Sequence, residues 1–262
     1  FISCLIIAPI LAIFYSAFSG DTSLWPHLVS TVLPRYISNT LTLMLGVGCL
    51  SLIFGISTAW VVTRYNFPSK FFFEWALLLP AAVPAYIIAY TYTDFFEYAG
   101  PVQGMLRDFF GWKNAQDYWF PNIRSMGGAI FVMSSVLYPY IYLMTRSSFI
   151  STPVSFYHAS SIHGKNVFFN VALPLARPGI VAGLALVLME TISDFGTVDY
   201  FALETLALGV FNVWLGMNSL SGAAQISCVL FVFVIILLSL ELMARNRQRY
   251  YEKSSGQNMM QP

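Results

Sequence analysis

"NTLTLMLGVGCLSLIFGISTAWVV", Asn39 to Val62, carries no formal charge and decides the fold. A bilayer core of about 30 Å takes roughly 20 mainly apolar residues per helix, so this run predicts a membrane span. Gly46, Gly48 and Gly55 along it suit close helix packing in lipid, where small residues let backbones approach. Working outward, five more stretches qualify: Phe1 to Phe18, Phe71 to Phe95, Gly127 to Met144, Pro178 to Phe195 and Ala223 to Met243. The expectation is an all-α, polytopic transmembrane helix bundle of about six spans. Composition agrees. The chain is 57% hydrophobic and 10% charged, against about 25% charged residues in a soluble domain.

Within the third stretch, LLLPAAVPAYIIAY places Pro80 and Pro84 mid-span, which predicts a kinked or broken helix facing protein. The opening FISCLIIAPILAIFYSAF begins with Phe1 and lacks a basic n-region and a small-residue cleavage site. It therefore reads as a span whose true start lies upstream. Cys4, Cys49 and Cys228 fall inside apolar runs without ligand spacing and read as buried small hydrophobes. A net charge of +1, with no dense Lys/Arg cluster, argues against nucleic acid as a partner.

Lys and Arg set the orientation. One side of the bilayer receives Arg64, Lys70, Arg146, Lys165, Arg177, Arg245, Arg247, Arg249 and Lys253, and the other only Arg35, Arg107, Lys113 and Arg124. The positive-inside rule makes the first side cytoplasmic. The external stretch from Glu97 to Ser125, with Gly100-Pro101 and Phe120-Pro121 as breakers, is long enough for a short surface helix. The polar ending YYEKSSGQNMMQP reads as a frayed tail or linker.

Between the fourth and fifth spans lies the wettest stretch in the middle of the chain, SFYHASSIHGKNVFFNVALPLARPGI, Ser155 to Ile180. Thr152 is placed as an N-cap, Pro153 at the first helical position and Gly164 just past the end, predicting about three helical turns. At 1.5 Å per residue that is roughly 16 Å, too short to cross a bilayer. Such a helix lies on the membrane face or enters a partner, and Pro174 to Pro178 read as a turn outside the membrane.

These residues resemble the inner-membrane permeases of type I ABC importers, whose cytoplasmic loop is written E-A-A, three residues, G, a variable run, then I-x-L-P. Counting from Pro153, the chain offers His158, Ala159, Ser160, Gly164, Ala172, Leu173 and Pro174. His158 stands where the family has Glu, and the interval to Leu173-Pro174 is about three residues shorter. The resemblance runs from about Tyr36 to Met243. It gives a first span and external segment over residues 1–35, a core domain over 36–243 with the coupling loop at about 151–178, and a basic tail or linker over 244–262. LARPGIVAGLALVLMETISDFGTVDYF is most similar to the permeases for ferric iron, which are usually duplicated, and the chain resembles their N-terminal half. Thiamine, polyamine and sulfate permeases share these features.

The resemblance implies a bacterial inner-membrane transport subunit with no catalytic residues and no cofactor. Its implied partners are separate ATPase subunits, a periplasmic substrate-binding protein and a second permease half. The implied coupling residues are His158, Ala159, Ser160, Gly164, Leu173, Pro174 and Arg177, although Arg177 equally suits snorkelling to lipid phosphates.

Glu190 and Asp194 are one turn apart on the fifth stretch. Counted from Pro178, Glu190 lies about 18 Å along the helix, near the midplane, where ionisable groups face a bundle interior or a wet path. They are expected to line the translocation path, with hydrogen bonding to neighbouring hydroxyls as the alternative. No stable metal site is expected: His158 and His163 are five apart, a poor ligand spacing on one helical face. Tyr138, Tyr140 and Tyr142 read as packing residues in preference to an iron-binding phenolate cluster. Gly164-Lys165 lacks the upstream glycine of a nucleotide loop, and no G-x-S-x-G or H-E-x-x-H occurs, so hydrolase chemistry is not expected. The competing class is an ion-gradient-driven secondary transporter with Glu190 and Asp194 as its relay.

Overall fold

The computed structural model describes residues 2–20, 23–153, 155–157, 160 and 166–256, with the backbone alone at 2–6 and 244–256. In chain order the helices are α1 (Ile2–Ser19), α2 (Trp25–Thr31), α3 (Leu33–Arg64), α4 (Lys70–Ala76), α5 (Ala85–Phe96), α6 (Pro101–Phe110) and α7 (Met126–Ser151). They continue with α8 (Leu173–Ser193), α9 (Gly196–Tyr200), α10 (Leu206–Phe211) and α11 (Leu220–Gly256). No strand occurs among the described residues.

Of the six expected spans, the described residues give four helices long and apolar enough to cross a bilayer, Leu33–Arg64, Met126–Ser151, Phe168–Ser193 and Leu220–Met243, or five if the broken pair Lys70–Ala82 and Ala85–Phe110 counts as one. The first expected span is helical, but over its described side chains, Ile7–Ser19, it is a shorter apolar helix. The third is broken, as its prolines require. A 3₁₀ turn at Leu79–Ala82 follows α4, and Pro84 stands extended before α5 with φ −55° and ψ 138°. The surface helix expected between Glu97 and Ser125 is α6, opened by Gly100-Pro101 and closed by Gly111 in the left-handed region.

The chain divides into two compact units. Unit 1 comprises Phe1–Val47, Val83–Val136 and Glu190–Phe233, and unit 2 comprises Gly48–Ala82, Leu137–Met189 and Val234–Pro262. Unit 1 is cored by Leu28, Leu33, Tyr36, Leu206, Val213 and Ile226. It is tied at its polar edge by Asn39 donating to the Glu204 carbonyl (2.9 Å), by the Leu206 N–H donating to Thr40 Oγ1 (3.0 Å), and by the Arg35–Glu204 ion pair (2.7 Å).

Unit 2 is cored by Ala59, Val62, Tyr142, Phe149, Ala172 and Ala176. Helices approach closely there because glycines face Ile141. A Cβ at Gly55 would lie 2.7 Å from the Ile141 Cβ, and one at Gly183 would lie 2.8 Å from its Cα and 3.1 Å from the Tyr140 carbonyl oxygen. At Gly183 the obstacle is backbone, which cannot swing aside. Gly183→Val is therefore expected to cost about 1–3 kcal/mol, measured as a lower melting temperature of the purified protein than for Ala182→Val.

Candidate functional site

The break in the third span is held by α7. Past α4 the chain tightens: the Leu78 N–H turns to Trp75 O (2.9 Å) and the Ala81 N–H to Leu78 O (3.1 Å), while Pro80 has no N–H to give. The carbonyls of Glu74 and Leu77 are thereby released from the helical ladder, and a released carbonyl away from water needs another donor. Tyr142 Oη donates to Glu74 O (3.3 Å) and Tyr138 Oη to Leu77 O (3.0 Å). Alongside them Arg146 Nη2 pairs with Glu74 Oε2 at 2.9 Å. The two tyrosines are thus structural donors, as the packing reading of the Tyr138-Tyr140-Tyr142 cluster requires.

The polar segment between α7 and α8 rises from the same platform. Trp60 packs edge-on against Phe149 (5.5 Å) and Phe168 (5.0 Å), the aromatic residues flanking the segment on either side. Tyr157 donates to the Phe149 carbonyl (3.2 Å), and residues 155–157 are helical. Thr152 donates its hydroxyl to Ser148 O (3.0 Å), so it closes α7 where an N-cap for the next helix was expected. Of the expected coupling residues, Ser160 is buried, with 8% exposure. His158, Ala159 and Gly164 lie outside the described residues, as does His163.

On the far side of the segment Asn166 caps the next helix, accepting from the Phe168 and Phe169 N–H groups at 3.0 and 3.4 Å. A cleft of about 490 Å³ beside it is bordered by Ser57, Trp60, Arg64, Tyr65 and Phe169.

The turn expected at Pro174 to Pro178 is helix instead. Phe168–Ala172 form a π-helical lead-in whose Leu173 N–H bonds to Phe168 O, and α8 follows without interruption. Pro174 sits at the junction of the π-helical lead-in and α8, where its missing N–H leaves a gap in the ladder that the wider π turn accommodates. Leu173 and Pro174 are half-buried and Arg177 is exposed, all three on this helical stem. Aromatic side chains that the sequence did not single out are also exposed here: Phe156 at 53% and Phe169 at 63%. A large apolar residue left bare in a polar segment is the sequence signal that would have found Phe156.

The earlier start of α8 also moves Glu190. The helix ends at Ser193, so Glu190 occupies its last turn, away from the middle of the span, and its side chain is exposed. Asp194 is half-buried and employed as a cap: Oδ1 accepts from the N–H groups of Thr197 (2.8 Å) and Val198 (3.3 Å), and Oδ2 from the Thr197 hydroxyl (3.1 Å). The two carboxylates expected to act together therefore sit in different settings. Among the described residues no group of three His, Cys, Asp or Glu is placed to hold a metal ion.

Known proteins share this organisation. The family described as binding-protein-dependent transport system inner membrane component matches residues 51–251. The chain is 24% identical to the Fe(3+)-transport system permease protein FbpB 2 of Haemophilus influenzae over 84% of its own length, but the match spans 39% of that relative. It is 27% identical to the molybdenum transport system permease protein ModB of Escherichia coli K12, over 76% of this chain and 88% of ModB. It is likewise 27% identical to the sulfate transport system permease protein CysW of the same organism, over 97% and 87%. A crystal structure of a bacterial alginate ABC transporter, in complex with an alginate pentasaccharide-bound periplasmic protein, superposes with a TM-score of 0.67 at 18% identity. It covers 95% of this chain and 91% of that one and bears on the fold alone. With the family matching most of its length and its helices long and apolar enough to cross a bilayer, the chain belongs to the inner-membrane permease components of binding-protein-dependent transport systems.

Proposed function

We propose that the chain is the permease of an ATP-driven importer whose cargo is ferric iron, working with separate ATPase subunits, a periplasmic binding protein and a second permease half. The polar segment at 151–166 docks in the ATPase, with His158, Ala159, Ser160 and Gly164 and the stem residues Leu173, Pro174 and Arg177 as its coupling residues. Glu190 lines the path, with Asp194 fixing the turn beside it. The breaks at Pro80 and Pro84 give the third span its bend.

The observation that carries the cargo is charge. Unit 1, which holds the segments assigned to the outer side, has nine Asp and Glu against four Lys and Arg, a formal −5. Two of those cations pair with acids, Arg35 with Glu204 and Arg124 with Glu97, which leaves the surplus at −5. The positive-inside rule accounts for few Lys and Arg outside but asks for no surplus of acids. Such a field gathers cations and repels dianions such as molybdate or sulfate, and carboxylates are hard oxygen ligands suited to a hard cation in passage. A second reading, an oxyanion permease, draws on the fuller length match to ModB and CysW.

Uptake by proteoliposomes holding the permease, its ATPase and its loaded binding protein separates the two. ATP-dependent accumulation of radiolabelled ferric iron is expected, with labelled molybdate and sulfate at background. Molybdate uptake would move the cargo while leaving the permease role intact, and uptake without the ATPase would favour a gradient-driven carrier.

A further inference from the structure

Helix α6 has its amphipathicity reversed. At about 100° per residue, Gln103 and Arg107 share one stripe, and Met105 and Phe109 share another about 200° away. The polar stripe is the one turned into the protein. Gln103 is 6% exposed and spends its amide on both sides, donating to the Phe96 carbonyl (2.7 Å) and accepting from the Tyr118 hydroxyl (2.6 Å). Arg107 donates to the Tyr98 carbonyl (2.7 Å) and to Tyr118 Oη (3.1 Å), and its guanidinium lies 4.2 Å over the Tyr98 ring.

The apolar stripe is bare: Met105 is 71% exposed and Phe109 82%. The far end of the helix is stiffened by a stack in which Trp112 lies between Phe110 (4.6 Å) and Tyr118 (4.7 Å). The bare face is therefore held in place.

A rigid cluster of large apolar side chains does not remain in water. Two features say what covers it. The helix directly follows α5, one half of the broken span, whose last turn also leaves Phe95 51% exposed. Trp119, 85% exposed in the same external loop, adds the aromatic type that favours the membrane–water boundary. A binding protein that docks and departs would leave the patch wet for part of every cycle, whereas lipid covers it throughout.

We infer that α6 lies in the outer interface of the bilayer, with Met105 and Phe109 inserted at the level of the headgroups and upper acyl chains. Its polar stripe faces its own loop. In this position the helix floats the external segment at a fixed depth and anchors the outer end of α5.

The test places a nitroxide at Phe109→Cys and at Met105→Cys in the full chain with Cys4, Cys49 and Cys228 replaced by serine, in nanodiscs of phosphatidylethanolamine and phosphatidylglycerol. Collision with oxygen, which concentrates in lipid, is expected to exceed collision with a water-soluble nickel chelate several-fold at both sites. The order should reverse at Lys113→Cys. Nickel collisions dominating at 105 and 109 would overturn the inference, leaving the face in water. So would low collision with both reagents, or a fall in collision on adding the binding protein, because the cover would then be protein.

Discussion

Arg146→Ala is expected to lower the melting temperature of the detergent-solubilised protein by roughly 10 °C. The Glu74–Arg146 pair is only 24% and 29% exposed on its two side chains. Deleting one partner of a buried pair strands the other charge, at about 3–5 kcal/mol when burial is complete. Residual exposure here brings that to about 2–4 kcal/mol, and in a chain of this size each kcal/mol corresponds to about 2–4 °C. Arg146 Nε is itself buried without a hydrogen-bond partner among the described residues, so the native pair already carries a desolvation cost. The paired substitution Glu74→Gln with Arg146→Met removes both charges at similar volume. It is expected to recover most of the loss, with Tyr138 and Tyr142 still holding the carbonyls of Leu77 and Glu74. A double variant as unstable as Arg146→Ala would mean that the loss does not come from stranding the Glu74 charge.

The broken span illustrates what a sequence discloses. Pro80 and Pro84 announce that the helix fails, because a missing N–H is a local property written in the residue itself. The donors that repair it, Tyr138 and Tyr142, sit some sixty residues away and read from sequence only as aromatic packing. The same residue type misleads at Pro174 and Pro178. A turn is expected there, yet Pro178 lies inside α8 and Pro174 at its junction with the π-helical approach at Phe168–Ala172, which has no signature in hydrophobic period. That error displaced the start of α8, and with it the depth inferred for Glu190. The existence of α6 was legible from Gly100-Pro101, but its polarity was not. The usual rule turns Arg107 outward and Phe109 inward, and partners as remote in sequence as Tyr118 invert it. Four long apolar helices were plain because length and apolarity are additive along the chain, while which side chains serve as caps depends on what folding brings beside them, as Asp194 shows.

Loss of coupling is expected from two substitutions in the segment between α7 and α8. Ala159→Trp adds bulk at the position matching the small residue of the family's loop, next to the buried Ser160. Phe156→Ala removes the exposed aromatic three residues earlier. A well-seated aromatic anchor is worth about 2 kcal/mol or more when truncated, which weakens association with the ATPase by about 30-fold. ATP-driven uptake in proteoliposomes should fall by at least about 10-fold for either variant while the permease remains in the membrane at its normal level. The two should differ in one respect. Phe156→Ala loses only contact area, so excess ATPase should restore uptake. Ala159→Trp misplaces the surfaces, so raising the ATPase concentration should restore binding but not uptake. The Tyr157 bond to the Phe149 carbonyl and the Trp60 contacts with Phe149 and Phe168 join the segment to the ends of both long helices, so under the proposed docking a push at Phe156 would reach α7 and α8 together. Undiminished uptake by both variants would show that the segment is not where the motor pushes.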